Sequence, residues 1–165
     1  MTRLRFKDHI LQAREEAIVA SVNRLLAEKG FEAMTVDQVV ADVGIGKASL
    51  YKHFTSKEEL AAAAMVRVLE RALEEVARLR SLDLDAVGRL KGLTRWAYEQ
   101  QIAGQMPALP SQSSALRAVL MTDKAYMDRL MQLSDELGSW IVEAQTAGRL
   151  DASLPPELLL YALYA

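Results

Sequence analysis

The sequence predicts an all-α fold, and three observations support this prediction. Only four prolines and eight glycines occur among the 165 residues, so few positions oppose helix formation. Hydrophobic residues make up 51% of the chain, which is enough to bury a core at this length. Apolar residues recur at spacings of three and four along much of the chain, which is the period of amphipathic helices.

The first helix is predicted over residues 8–29, and Gly30 is expected to end it. Its buried stripe should consist of Ile10, Ala17, Ile18, Val22, Leu25 and Leu26. Ahead of this helix, Arg3, Arg5 and Lys7 lie in a segment without an acidic residue. Such a basic arm can reach DNA phosphates or the minor groove, although a solvated terminus explains the same residues equally well.

A helix, a tight turn and a second short helix come next in the predicted order. Thr35 and Gln38 have the spacing of a capping box at the start of a helix over residues 36–42. Two glycines around one apolar residue form the turn at residues 44–46. A short helix is then expected over residues 47–53, with its apolar side chains facing inward.

The segment 44–57 holds three lysines and one histidine but no Asp or Glu. A lysine-rich and hydroxyl-rich short helix after a glycine turn is typical of the recognition helix of a helix-turn-helix. A phosphate-binding loop is an alternative for GIGKAS, but Ala41 and Ala48 stand where that pattern needs Gly and Ser or Thr. An ordinary helical hairpin with solvated lysines is the other alternative.

This stretch resembles the signature of the tetracycline-repressor (TetR) family of bacterial transcription regulators. The pattern L-Y-x-H-F followed by S-K-E-E-L is specific, and the resemblance is carried by Thr35, Val39, Val43, Gly44, Ile45, Lys47, Leu50, Tyr51, His53, Phe54, Ser56, Lys57, Glu58, Glu59 and Leu60. One departure is Gly46, where the family often has Ser, a stronger N-cap. The resemblance implies a three-helix DNA-binding head that a long fourth helix joins to a helical ligand-binding and dimerisation domain.

Side-chain chemistry and the resemblance together select the candidate DNA-binding residues. Contacts to base edges are assigned to Lys47, Ser49 and Lys52. Contacts to phosphates are assigned to Thr35, Tyr51, His53 and Lys57, with Arg3 and Arg5 in the basic arm. We expect residues 1–55 to form the DNA-binding domain and residues 56–165 to form the effector-binding and dimerisation domain.

The fourth helix is predicted to begin at a second capping box, Ser56 with Glu59, and to end near Arg80. Its inward residues should be Leu60, Ala64, Val68 and Val76, and the charged residues between 70 and 78 should form an exposed face. A fifth helix is predicted over residues 86–104, with a buried stripe of Val87, Leu90, Leu93, Ala97 and Ile102.

An irregular segment over residues 105–114 precedes a short helix that ends at Met121. The next helix, over residues 124–147, should be capped by Thr122 or Asp123 and ended by Gly148. Its apolar face should consist of Tyr126, Met127, Leu130, Leu133, Leu137, Trp140, Ile141 and Ala144.

Large and soft side chains are concentrated between residues 96 and 140. Met and aromatic residues can line an adaptable apolar pocket, although residue by residue they more often fill an ordinary helical core. The resemblance implies an effector pocket in this part of the chain. We therefore expect a small apolar effector to contact Trp96, Tyr98, Met121, Tyr126, Met127, Met131 and Trp140.

The last predicted helix begins at Pro155 or Pro156 and stops inside an apolar run. The resemblance implies two helices at this point that pair with their copies in a four-helix dimer bundle. We therefore expect the second domain to be truncated, the natural chain to continue past Ala165, and the last apolar residues to lie on the surface: Leu158, Leu159, Leu160, Tyr161, Leu163 and Tyr164.

The sequence offers no arrangement that is typical of an enzyme. The two histidines, His9 and His53, lie far apart, and the adjacent acids of each carboxylate pair diverge on a helix. We expect no catalysis, cofactor or metal. The absence of cysteine fits a reducing cytoplasm, and the longest apolar runs are much shorter than the ~20 residues of a membrane span.

The sequence therefore predicts a cytoplasmic, ligand-responsive transcriptional regulator, most simply a repressor. It should bind a near-palindromic double-stranded DNA operator as a homodimer, and a small apolar effector should release it. The alternative is a helical small-molecule-binding module without a DNA function, which DNA mobility shift would distinguish.

Overall fold

A computed structural model describes residues 2–107 and 114–164 of the chain, with side chains described from Asp8 onward and not at Ser114. Helices account for all the regular structure in these ranges, which confirms the predicted all-α class. They are α1 (Thr2–Ala33), α2 (Val36–Val43), α3 (Lys47–Leu50), α4 (Lys57–Arg80), α5 (Ala86–Ile102), α6 (Ser114–Thr122), α7 (Lys124–Thr146) and α8 (Pro156–Tyr164). We call α1–α3 the head and α4–α8 the body.

Helix α1 begins at Thr2, so the backbone of the predicted basic arm is part of the helix and not a separate segment. Regular helix ends at Gly30, whose φ of 77° is accessible to glycine at little cost, and one further turn follows. The predicted stripe is buried from Ile18 to Leu26. It is wrong at Ile10 and Ala17, because every described residue from 8 to 17 is exposed and this part of α1 is not packed on the core.

The helix-turn-helix forms as predicted at its first helix and its turn. Thr35 Oγ1 accepts from the Gln38 N–H at 3.3 Å, and the Gln38 side chain accepts from the Thr35 N–H at 3.1 Å. Gly44 caps α2 in the left-handed conformation at φ 72°. Helix α3 is shorter than predicted, because a turn over residues 51–53 replaces its last turn.

The core of the head is apolar and closely packed. It consists of Ile18, Val22, Leu25, Leu26, Phe31, Met34, Val39, Leu50 and Phe54, each at most 7% exposed. The predicted inward orientation of the apolar side chains of α3 is therefore confirmed at Leu50. This core continues without a break into the body, where α4 packs against α1, α5, α6 and α7.

Helix α4 starts with a cap that differs from the predicted capping box. Ser56 Oγ accepts from the Glu59 N–H at 3.1 Å as expected. The Glu59 carboxylate, however, accepts from the N–H and the hydroxyl of Thr55, both at 2.6 Å, and not from the N–H of Ser56. These two bonds lower the pKa of Glu59, with the Thr55 hydroxyl making the larger contribution.

The inward face of α4 is confirmed, since Leu60, Ala64, Val68 and Val76 are all buried. The prediction that the charged residues form an exposed outer face is wrong at one residue, because Glu75 is only 8% exposed. Its carboxylate receives two bonds from the Arg78 guanidinium, at 2.7 and 2.6 Å, which balance its charge at the edge of the core.

Helix α7 also contributes to the body's core, with Leu133, Leu137, Trp140, Ile141 and Ala144 buried as predicted. Asp123 caps it by accepting from the Tyr126 N–H at 2.7 Å. The predicted stripe of α5 is buried at Leu90 and Leu93. The prediction is wrong at Ile102, which is the last residue of the helix and is 87% exposed.

Helix α8 presents only part of its apolar surface to solvent. Leu158, Tyr161 and Leu163 are exposed, whereas Leu159, Leu160 and Tyr164 pack against the core. The hydroxyls of Tyr164 and Ser134 are 3.0 Å apart, which fixes α8 on α7. Within residues 2–107 and 114–164, none of the helices combines the length and apolarity that crossing a membrane requires.

Candidate nucleic-acid interface

The candidate interface is an exposed, lysine-bearing surface around α3. We call it the recognition surface, and it consists of Thr35, Lys47, Ser49, Tyr51, Lys52, His53 and Lys57. Gly44 reverses the chain in a left-handed conformation, and α3 then starts at Lys47. Leu50 and Phe54 bury the inner side of the segment, so Tyr51 and Lys52 face solvent.

Lys47 is held by an acid that the sequence did not identify. Its Nζ lies 2.7 Å from Asp37 Oδ1 in the first turn of α2, and both side chains are more than half exposed. Hydrogen bonding and attraction to the Asp37 carboxylate raise the pKa of Lys47. The lysine is therefore charged and restrained at the start of α3.

Ser49 and His53 occupy more sheltered positions at the side of this surface, each half-buried. Arg14 of α1 reaches Ser49, with its Nη1 3.5 Å from the serine hydroxyl. Thr35 combines two features, since its oxygen caps α2 while the residue itself remains exposed. A capping oxygen accepts a bond and leaves the hydroxyl proton for another partner.

Lys57 is already engaged within the protein. Its Nζ donates to the backbone carbonyl of Glu32 at 3.2 Å and lies 4.5 Å from the centre of the Phe31 ring. These contacts join the start of α4 to the end of α1. The phosphate contact assigned to Lys57 stays a prediction, and the side chains of Arg3 and Arg5 lie outside the described residues.

A second ion pair fixes the helix-turn-helix on α1. The guanidinium of Arg24 bonds the carboxylate of Asp42 near the end of α2. The nearby Ser21 hydroxyl and then the Arg24 guanidinium lower the pKa of Asp42. Neither this pair nor the pair of Asp37 with Lys47 has a sequence signal, because the partners lie on different helices at no regular spacing.

The structure separates the seven candidate effector-pocket residues. Tyr126 and Trp140 are buried at 5% and 1% exposure, while Trp96 and Met127 are half-buried against the core. Tyr98, Met121 and Met131 are exposed, at 63%, 55% and 61%. These residues are thus divided between core and surface, and the effector pocket stays a prediction.

A cleft of about 1290 Å³ lies elsewhere, between α1 and α4 and beside the end of α5. Its lining includes Val19, Asn23, Ala63, Val66 and Arg67, and it includes none of the seven candidate pocket residues. Among the described residues, no group of three or more His, Asp or Glu side chains is placed to hold a metal ion.

Sequence comparison identifies relatives of the segment that carries the recognition surface. Residues 18–64 match the family described as bacterial regulatory proteins, tetR family. The chain is 29% identical over 79 residues to the uncharacterized HTH-type transcriptional regulator YerO of Bacillus subtilis (strain 168). This stretch covers 48% of the chain and 26% of that relative, so the chain spans about a quarter of the regulator's length.

Structural comparison extends the likeness to the body. A transcriptional regulator of the TetR family from Agrobacterium tumefaciens superposes with a TM-score of 0.76 at 19% identity, covering 92% of this chain and 81% of that one. AibR in complex with isovaleryl coenzyme A and operator DNA superposes with a TM-score of 0.65 at 21% identity, covering 91% and 81%. At these identities the likeness shows the fold alone, and these similar proteins are transcriptional regulators and not enzymes.

Proposed function

We propose that this chain, a member of the TetR family, is a ligand-responsive transcriptional repressor. It binds a near-palindromic DNA operator as a homodimer in the cytoplasm, and a small apolar effector releases it. The observation that carries this proposal is the recognition surface itself. Exposed Tyr51 and Lys52 follow a helix whose inner face is fixed by Leu50, in a segment without an acidic residue.

The chemistry of this surface suits DNA. A short helix that presents hydroxyl and ammonium groups can enter the major groove, where lysine donates to guanine O6 and N7. Neighbouring cations and hydroxyls hold phosphates and fix the orientation of the helix. A dimer places two such helices in successive major grooves, about 34 Å apart, which requires an operator with two half-sites.

The test begins with a selection of bound duplexes from a random pool, followed by fluorescence polarisation on the selected sequence. Lys52→Ala should weaken operator binding by about 1–3 kcal/mol, as expected for the loss of a base-edge contact. Lys91→Ala is the matched control, because Lys91 is an exposed lysine on α5 of the body. Equal losses in both variants, or no enrichment of any sequence, would remove the DNA-binding assignment.

A solved structure with the same fold supports the proposed control by an effector. The structure of AibR contains both isovaleryl coenzyme A and operator DNA, so a protein with this fold has a ligand site as well as a DNA site. A ligand changes operator affinity only when it binds the DNA-competent and incompetent states unequally. Apolar compounds that raise the melting temperature should therefore be tested for release of labelled operator, and binders without any effect on operator affinity would contradict this part.

A further inference from the structure

One ion pair links Lys47 of the recognition surface to Asp37 and joins the two helices of the helix-turn-helix. Lys47 is the first residue of α3, and Asp37 lies in the first turn of α2. Their charged atoms are 2.7 Å apart, with the side chains 53% and 72% exposed. The bond is therefore formed on the outer surface of the head and not in the core.

The position of Asp37 is unusual for a surface that should bind a polyanion. Between residues 36 and 57 the acids are Asp37 and Asp42, and Asp42 is bonded to Arg24 of α1. Asp37 thus brings a negative charge to the start of α3, where it repels phosphates. An acid in the first turn also favours helix α2 through the helix dipole, but that effect does not require Lys47 as its partner.

We propose that Asp37 is a positioning residue that determines sequence specificity by restraining Lys47. An ammonium group has three N–H donors, so a bond to Asp37 leaves two for acceptors such as O6 and N7 of guanine. While paired, Lys47 adds no net charge that could neutralise a phosphate. The restraint therefore reduces binding to arbitrary DNA and directs the lysine toward a base edge. This inference rests on the proposed DNA-binding function.

Because the Asp37–Lys47 pair is exposed, we expect it to affect DNA binding more than folding stability. An exposed ion pair contributes little to folding stability, so its loss should leave the head folded. Removing the carboxylate frees the lysine stem, whose flexible ammonium then reaches the nearest phosphate in any sequence. The structure thus predicts opposite consequences for affinity and for specificity when Asp37 is neutralised.

The test compares wild type with Asp37→Asn on the selected operator and on a shuffled duplex of equal length, over a series of salt concentrations. Affinity for the shuffled duplex should rise about three- to tenfold, and the slope of log K against log salt should steepen by about 0.9, the value for one more phosphate. Operator affinity should change less, so the ratio of the two affinities falls. Asp37→Glu, which keeps the carboxylate, should retain a ratio close to that of wild type.

Asp128→Asn is the matched control, because Asp128 pairs with Lys124 on the exposed side of α7 and its loss changes net charge equally. It should leave the ratio of operator affinity to shuffled-duplex affinity unchanged.

A double-mutant cycle with Lys47→Gln separates restraint of the lysine from simple repulsion of phosphates. Asp37→Asn should lower the affinity ratio in the wild-type background and should lower it much less in the Lys47→Gln background. Equal effects in both backgrounds, or equal weakening of both duplexes, would overturn the inference. A wild-type protein without sequence preference would overturn the proposed function and the inference with it.

Discussion

In the head, most side chains around the recognition helix are exposed, and the backbone that carries them is fixed in part by features close in sequence. Thr35 is bonded to Gln38, and Gly44 directs the chain into α3. In the body, the large side chains of α7 are fixed by packing against other helices, as Trp140 is. Local chemistry thus identifies surface residues of the head, whereas the role of a large residue in the body depends on which helix face becomes buried.

Among the tests of this comparison, Trp140→Ala in the core of the body should have the largest effect on stability. Trp140 is 1% exposed, so its truncation should lower the free energy of unfolding by about 3–5 kcal/mol. Tyr98→Ala is the control, because Tyr98 is 63% exposed and its loss should cost no more than about 0.5 kcal/mol. Urea unfolding followed by circular dichroism measures both, and similar costs would show that the two aromatic residues are not placed as described.

A pair of glycine substitutions compares the turn of the head with a helix of the body. Gly44→Ala should destabilise the protein by about 1–2 kcal/mol, because a Cβ is strained at φ 72°. Gly138→Ala lies within α7, where an added Cβ would meet no atom within 4 Å, and it should stabilise by about 0.5–1 kcal/mol. Thermal unfolding should thus give shifts of opposite sign, and two shifts of the same sign would contradict this difference.

The cap of α2 tests how far local bonds hold the recognition surface in place. Thr35→Ala removes the acceptor for the Gln38 N–H and should cost about 1 kcal/mol of stability. Thr35→Ser keeps the oxygen and should stay close to wild type in a chemical unfolding experiment. If the serine variant lost as much as the alanine variant, the cap would not be the source of the effect.

The smallest expected effect is a pH dependence at the start of α4. The pKa of Glu59 is lowered in the folded state, so its ionised form stabilises the fold above the ordinary pKa of 4.5. That contribution is lost as pH falls through the lowered value, because the carboxylate is then protonated in both states. Glu59→Gln should therefore be less stable than wild type at pH 7, and the difference should shrink in acid; a difference that is constant with pH would contradict this account.

Much of the fold could be predicted because caps and glycines mark the helix ends. The predicted ranges for α2 and α7 differ from the observed ones by one residue, and α4 ends at Arg80 as expected. The errors occur where a pattern continues beyond the region that packing covers. Ile10 and Ile102 fit an apolar stripe and yet are exposed, while Glu75 fits an outer face and yet is buried beside Arg78.

The residue types of the candidate site could be chosen from the sequence, but the side-chain contacts between its helices could not. Lys47 and Lys52 were identified from the acid-free segment, since that segment is continuous in sequence. The partner Asp37 was not, because the distance from Asp37 to Lys47 depends on the angle at which α2 and α3 meet. The contacts of Lys57 with Phe31 and Glu32 likewise depend on how α1 meets α4.

Those contacts of Lys57 have a mechanical consequence. They attach the head at the beginning of α4, a helix of 24 residues, which at about 1.5 Å per residue is ~36 Å long. If a helix of this length tilts by about 5° around its far end, the head moves by about 3 Å, which is close to the ~3.4 Å rise of one base pair. A rotation of α4 by a few degrees is thus sufficient to move a recognition helix by about one step along the DNA.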